Sequence, residues 1–235
     1  MPVSSKPLIS LVIPCWGDGP LLEKVIRPVL GHPALCDIVI ADADRENGAK
    51  RIAEQMGVIH VPCPRPNRGE QMNLGGQAAQ GDVLLFHHAD SQLDSTHLNS
   101  LSAAADEEWA GGAFCRKFDR RHPHLRFLER LELFRSTHFG PIFGDQSIFV
   151  RSGVFRKMGG YANIPLMEDM EFAGRLRREG RIRMLHPPIE TSARRSERDG
   201  AWLTTMRNAW FIMLFLCGAD PHKLHARYYG RANKS

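Results

Sequence analysis

The sequence predicts an α/β domain built around a mostly parallel central sheet. Short apolar runs rich in β-branched residues recur at 8–13, 38–41, 58–61 and 83–86. Stretches with helical spacing separate them, and Gly or Pro punctuates the junctions. Strands alternating with helices in this way form βαβ units, whose strands run parallel. Ligands of such sheets bind beyond the carboxyl ends of the strands. The loops that can carry function therefore start at Pro14, Asp42, Pro62 and His87.

Each element has its own signal. The run at 8–13 is a buried strand stopped by Pro14, and 20–30 is helical, with Leu21, Leu22, Val25, Ile26 and Val29 on one side. A strand at 38–41 leads to a helix at 49–56 that ends at Gly57. After the strand at 58–61 comes a helix at 70–80, and Gly81 and Asp82 turn the chain into the strand at 83–86. The second half is less regular: strands at 113–118, 147–150 and 182–185, and helices at 125–134, 168–178 and 201–216. The helix at 168–178 is acidic at its start and basic at its end, which suits the helix dipole. No repeat or linker divides the chain. We read it as one domain, with a binding half at 8–95, a catalytic half at 110–200, C-terminal helices at 201–229 and a frayed tail after Gly230.

Composition narrows the function classes. The 235 residues are 43% hydrophobic and 24% charged, ordinary for a domain with a real core. A net charge of +5 suits an anionic ligand, a membrane surface or nucleic acid. The arginines are spread along the chain without a recognised nucleic-acid motif, which argues against that partner. Five scattered cysteines with no CxxC pair disfavour a disulfide framework or a zinc site and fit a reducing cytosol. The first residues lack a signal-peptide pattern. The apolar stretch at 209–219 falls short of the ~20 residues a spanning helix needs. It is either a buried helix or one lying on the inner face of a membrane.

The loops hold the candidate chemistry. The loop after the first strand, 14–19, lacks GxGxxG and GK[ST], which disfavours classical NAD and ATP cradles. Asp42 and Asp44 lie where a carboxylate can read the base or ribose of a nucleotide, or form a polar turn with Asn47-Gly48. In the extended segment 87–90, His88 and Asp90 point the same way and can face one ligand, with Mn²⁺ suiting an imidazole–carboxylate pair better than Mg²⁺. Alternatively, Asp90 caps the next helix. Glu168 and Asp169 follow an apolar approach at 165–167, a setting for a general base, though acidic residues are expected at any helix start. Arg194, Arg195 and Arg198 could fork onto a diphosphate or form a solvated basic surface.

Together these strings resemble the family 2 glycosyltransferases over nearly the whole chain. They are Leu11-Val12-Ile13-Pro14, Ile38-Val39-Ile40-Ala41-Asp42, Gln71-Met72-Asn73 with Gly75, the segment 81–90, Gly144-Asp145-Gln146, Gly159-Gly160-Tyr161 and Leu166-Met167-Glu168-Asp169. The resemblance implies a GT-A type, Rossmann-like three-layer fold and an inverting transfer of sugar from a nucleoside-diphosphate donor, UDP being the family-weighted choice. It also implies a divalent metal, Mn²⁺ or Mg²⁺. Pro14, Asp42, Asp44, Arg68, Gln71, Asn73 and Ala89 would then line the nucleotide, and His88 and Asp90 would hold the metal. Asp169, with Glu168, would be the catalytic base, while Asp145, Gln146, Arg194 and Arg195 would meet phosphate or acceptor. The His-Ala-Asp string looks like a small bacterial subgroup; His88 stands where many relatives carry Asp, and Ser196 where the subgroup usually has Trp. The competing readings are a nucleotide-sugar binder without turnover and a sugar-phosphate nucleotidyltransferase. The second is disfavoured because 14–19 contains no Lys or Arg.

Overall fold

The computed structural model describes residues 7–44, 46, 48–105, 107–118, 142–191 and 201–230. Its elements are β1 (Ile9–Cys15), α1 (Gly19–Ile26), β2 (Leu35–Asp42), α2 (Gly48–Met56), β3 (Ile59–Pro62), α3 (Arg68–Ala78), β4 (Val83–Phe86) and α4 (Ser95–Ala104). Then follow β5 (Gly111–Phe118), a short 3₁₀ turn (Gly144–Gln146), β6 (Ile148–Arg151), α5 (Ser152–Met158), α6 (Glu168–Glu179), β7 (Ile182–Thr191), α7 (Ala201–Leu216) and α8 (Pro221–Tyr229). The expected helix at 125–134 lies outside the described residues.

One seven-stranded sheet runs in the order β3-β2-β1-β4-β6-β5-β7. Every pairing is parallel except the two made by β6. The expected α/β architecture with a mostly parallel sheet is thus what the chain forms. Two apolar layers cover the faces: Leu11, Ile13, Leu22, Ile26 and Phe114 on one side, and Val12, Met72, Phe86, Phe172 and Leu176 on the other. All seven residues of β1 are buried, as a central strand covered on both faces requires.

Pro14 does not stop β1, and the reason shapes the site. Along β1, Cys15 O accepts from Ala43 N, while Val12 O accepts from His87 N. Even-numbered residues therefore face β4, and odd-numbered ones face β2. The β1–β4 ladder ends at Val12↔Phe86, while β1–β2 pairing continues to Cys15↔Asp42. Pro14 faces the β4 side beyond that end, so its missing N–H costs no ladder bond. The strands part there, and a crevice opens at their carboxyl ends, where the chain's direction of winding reverses.

Glycine sets how closely α3 lies on the sheet. A Cβ at Gly75 would sit 2.4 Å from Val12 Cγ1, so the helix could not approach β1 with any larger residue there. That approach carries the first turn of α3, with Arg68, to the crevice edge.

Candidate active site

The strand tips are held by polar side chains turned inward. Gln71 is 2% exposed, and its Nε2 donates to Cys15 O (2.8 Å) and Ala41 O (2.9 Å), tying the ends of β1 and β2 together. Asp42 is also buried: Oδ2 lies 3.0 Å from His60 Nε2, and Oδ1 accepts from Asp44 N at 2.9 Å. Asn73 spends its whole amide on the backbone of Tyr161, Nδ2 to O and Oδ1 from N. Gln146 is buried, with Oε1 accepting from Phe143 N. The sequence places all four at the ligand, but the structure turns their polar atoms into the protein. Asp44 accepts from Glu46 N and sits half-buried at the rim, beside buried Ala43.

The side chains left to face the crevice come from four places. Asp18 leads into α1, Arg68 opens α3, His88 and Asp90 follow β4 around buried Ala89, and Glu168 and Asp169 open α6. Asp90 is exposed and does not cap the following helix. Asp94 does, with Oδ1 accepting from Thr96 N and His97 N. His87 is buried between Ser147 Oγ (2.6 Å) and Ser91 O (3.2 Å), with burial pushing its pKa down to about 3. It is a neutral strut, leaving His88 to face the crevice.

Asp169 and His88 meet at Gly144. Asp169 Oδ2 accepts from Gly144 N at 2.8 Å, and Oδ1 accepts from Met170 N at 2.7 Å. A Cβ on Gly144 would stand 2.7 Å from His88 Nε2 and 3.6 Å from Asp169 Oδ2. Glycine lets the imidazole lie this close to the turn that Asp169 holds. Met167, just before α6, has φ of 65°, a left-handed conformation uncommon for a side chain of its size. Backbone of this kind clusters at functional sites, and here it directly precedes the two carboxylates.

Charge and burial set the protonation states. Burial, reinforced by the neighbouring Asp169, raises the Glu168 carboxyl to about 7. Burial also raises Asp169, opposed by the N–H groups of Gly144 and Met170. The two form a coupled pair that does not readily hold two negative charges. Burial lowers His88 to about 4, helped by the nearby Arg68 guanidinium, so its ring is neutral at pH 7. Asp18 is raised by burial and then by Asp90. Arg68 acts on Asp18, His88, Glu168 and Asp169 alike, and it is the shared cation of the crevice.

Asp145 neighbours both Asp169 and His88 and pairs with Arg116, whose part sequence reasoning missed. Asp18 was missed too; its signal was a carboxylate in the loop after the first strand. Arg194, Arg195 and Ser196 lie outside the described residues. A cavity of about 550 Å³ lined by Cys115, Arg177, Arg181, Arg183 and His186 includes none of the crevice carboxylates.

Among the described residues, no three His, Cys, Asp or Glu side chains gather as a complete metal site. His88 and Asp90 nonetheless fit a divalent ion that takes its other ligands from substrate phosphate and water, the usual arrangement where protein supplies one or two donors. A neutral imidazole has a free lone pair for this, and the pair favours Mn²⁺ over Mg²⁺.

The acidic crevice at the β1/β4 tips, with Arg68 beside its carboxylates, sits where ligands of such sheets bind. The model of Glycosyl transferase family 2 matches residues 10–157, and the chain belongs to that family. By structure the chain resembles the mannosyltransferase PcManGT from Pyrobaculum calidifontis, solved with GDP-Man and Mn²⁺. The two share a TM-score of 0.68 at 17% identity, covering 96% of this chain and 70% of that one. It also resembles glucosyl-3-phosphoglycerate synthase from Mycobacterium tuberculosis, solved with Mn²⁺ and UDP (TM-score 0.55, 15% identity, 79% and 70% covered). The third is S. aureus TarS 1-349 with UDP-GlcNAc (TM-score 0.62, 12% identity, 79% and 58% covered). At these identities the likeness is one of fold. In sequence, the chain is 29% identical over 115 residues to the uncharacterized protein MT1568 of Mycobacterium tuberculosis (strain CDC 1551 / Oshkosh). The match spans 47% of this chain and 36% of that protein's length.

Proposed function

We propose that the chain transfers a sugar from a nucleoside diphosphate to an acceptor hydroxyl, with inversion at the anomeric carbon. One observation carries the reading: Asp169, His88 and Gly144 close on one point at the sheet tips, with Arg68 beside them and Asp90 exposed.

Asp169 is the base. It is less buried than Glu168, and two backbone N–H groups favour its ionised form. Glu168, raised to about 7, holds the proton of the pair near neutral pH. The acceptor O–H gives its proton to Asp169, and its oxygen forms the bond to the anomeric carbon. The bond from that carbon to the diphosphate oxygen breaks, and the electron pair leaves with the nucleoside diphosphate. Arg68, close to His88 and Asp169, would bind that diphosphate and offset its charge. A divalent metal, when held by His88 and Asp90, supplies further neutralisation of the phosphates. We propose His-Ala-Asp at 88–90 as this chain's form of the family's metal motif, and UDP as the donor nucleotide.

A second reading has a specific motive, His88 standing where many relatives carry Asp. In it the crevice binds nucleotide sugars without turnover. Both readings are tested by melting the protein against a panel of nucleotide sugars with Mn²⁺, then assaying release of nucleoside diphosphate. Stabilisation by one donor together with release supports the transferase. Stabilisation without release, with any acceptor offered, supports the binder, and no stabilisation by any donor contradicts both.

A further inference from the structure

The C-terminal hairpin of α7 and α8 carries a surface that the proposed transfer does not use. Its inner side is accounted for. Phe211 and Leu224 are buried, Phe211 meets Tyr228 edge-on at 5.1 Å, and the Arg207 guanidinium lies 5.3 Å from the Tyr228 ring. The outer side of α7 is apolar and open: Met206 is 67% exposed, Trp210 52%, Met213 47% and Leu216 69%. Spacings of four, three and three residues put these on one helix face. Scattered exposed apolar residues are ordinary, but four large ones in a stripe mark a binding surface.

The charge of the hairpin points to what the stripe meets. From Ala201 to Ser235 the sequence has one acidic residue, Asp220, against Arg207, Lys223, Arg227, Arg231 and Lys234. Arg207, Lys223 and Arg227 are exposed on the hairpin. A second copy of the chain packed symmetrically on this face would bring like charges together. An anionic lipid surface complements both features, taking the apolar side chains between acyl chains and the cations at headgroup level. Trp210 suits the boundary between the two. No described helix is long and apolar enough to cross a membrane, so contact of this kind is surface docking.

We propose that the α7–α8 hairpin docks the protein on anionic bilayers, with Met206, Trp210, Met213 and Leu216 inserted and Lys223 and Arg227 at the headgroups. This does not depend on the sugar-transfer reading.

The test is flotation of the full chain with phosphatidylglycerol-rich vesicles and with pure phosphatidylcholine vesicles, at low and high salt. Binding to the anionic vesicles, weakened by salt and by Lys223→Glu/Arg227→Glu, is expected. The double variant Trp210→Glu/Met213→Glu should bind at least about tenfold less while melting like the parent, because both side chains are on the surface. Brominated lipids should quench tryptophan fluorescence in the parent and much less in Trp210→Phe, a readout that needs no disruptive variant. Absence of binding to anionic vesicles overturns the proposal, as does equal binding by Trp210→Glu/Met213→Glu. Light scattering that shows a dimer dissolved by those substitutions, with no vesicle binding, assigns the face to a second copy instead.

Discussion

Replacing Gly144 with alanine tests the geometry of the crevice with a single methyl group. The backbone at Gly144 is open to any residue, so alanine brings no conformational strain of its own. Its Cβ, however, would stand 2.7 Å from His88 Nε2, where contacts under 3.0 Å do not persist and ordinary contact begins at 3.4 Å, so the ring or the turn must yield by 0.3–0.7 Å. The second neighbour, Asp169 Oδ2, is at 3.6 Å and needs no shift. The imidazole is therefore displaced relative to the carboxylate, while the hydrogen bond from Gly144 N can persist. A misplacement near 1 Å at a reacting centre costs on the order of 10²-fold. We expect kcat/KM for donor turnover to fall roughly 10- to 100-fold, about 1.4–2.7 kcal/mol of transition-state stabilisation. Crowding one methyl group at a rim with a movable side chain costs stability about 1 kcal/mol. The assay pairs steady-state kinetics across Mn²⁺ concentrations with thermal melting. Wild-type kinetics with an unchanged melt would refute the convergence of His88 and Asp169 on this turn.

Three other outcomes follow from the same contacts. Gln71→Leu removes the side-chain donor from Ala41 O and from Cys15 O, which keeps Ala43 N, and should cost about 1–3 kcal/mol, read as a lower urea midpoint with unchanged slope. Glu168 keeps its proton to about pH 7 when folded but only to its ordinary 4.5 when unfolded, so the fold binds the extra proton between those values. Its contribution to stability therefore falls as pH rises from 4.5 through 7 and stays level above, by roughly 3 kcal/mol, and Glu168→Gln should flatten that part of the stability–pH curve. Arg68→Ala should raise the donor KM or Kd about tenfold or more, and Arg68→Lys should recover part of it, as expected where a forked guanidinium meets phosphate. Equal donor affinity in all three proteins would remove Arg68 from the diphosphate site.

The first half of the fold was legible because each βαβ unit is local: strand, helix and turn signals follow one another in order from Ile9 to Phe86. The second half was not, because β6 inserts antiparallel between β4 and β5. That pairing depends on contacts distant in sequence, such as Gly111, where a Cβ would fall 2.5 Å from Phe149 O of β6. At the site, position was readable and orientation was not. Asp90 follows β4 and Asp169 opens α6, and both places were readable from the local pattern. Gln71, Asn73, Gln146 and Asp42 are at the strand tips too, yet they satisfy backbone groups or a histidine. A buried amide that ties two strands and an amide that faces a ligand look the same in sequence. Arg68 acts through space on Asp18, His88 and the Glu168–Asp169 pair, groups from three other segments, and sequence alone does not express that neighbourhood.

The most direct test is donor binding and turnover measured side by side in the wild type and in Asp169→Asn. The asparagine keeps an oxygen for Gly144 N but takes no proton from an acceptor. The nucleotide sugar should bind both proteins with similar affinity, and release of nucleoside diphosphate to an acceptor should fall about 10²–10⁴-fold in the variant. Turnover in Asp169→Asn equal to the wild type would contradict the account.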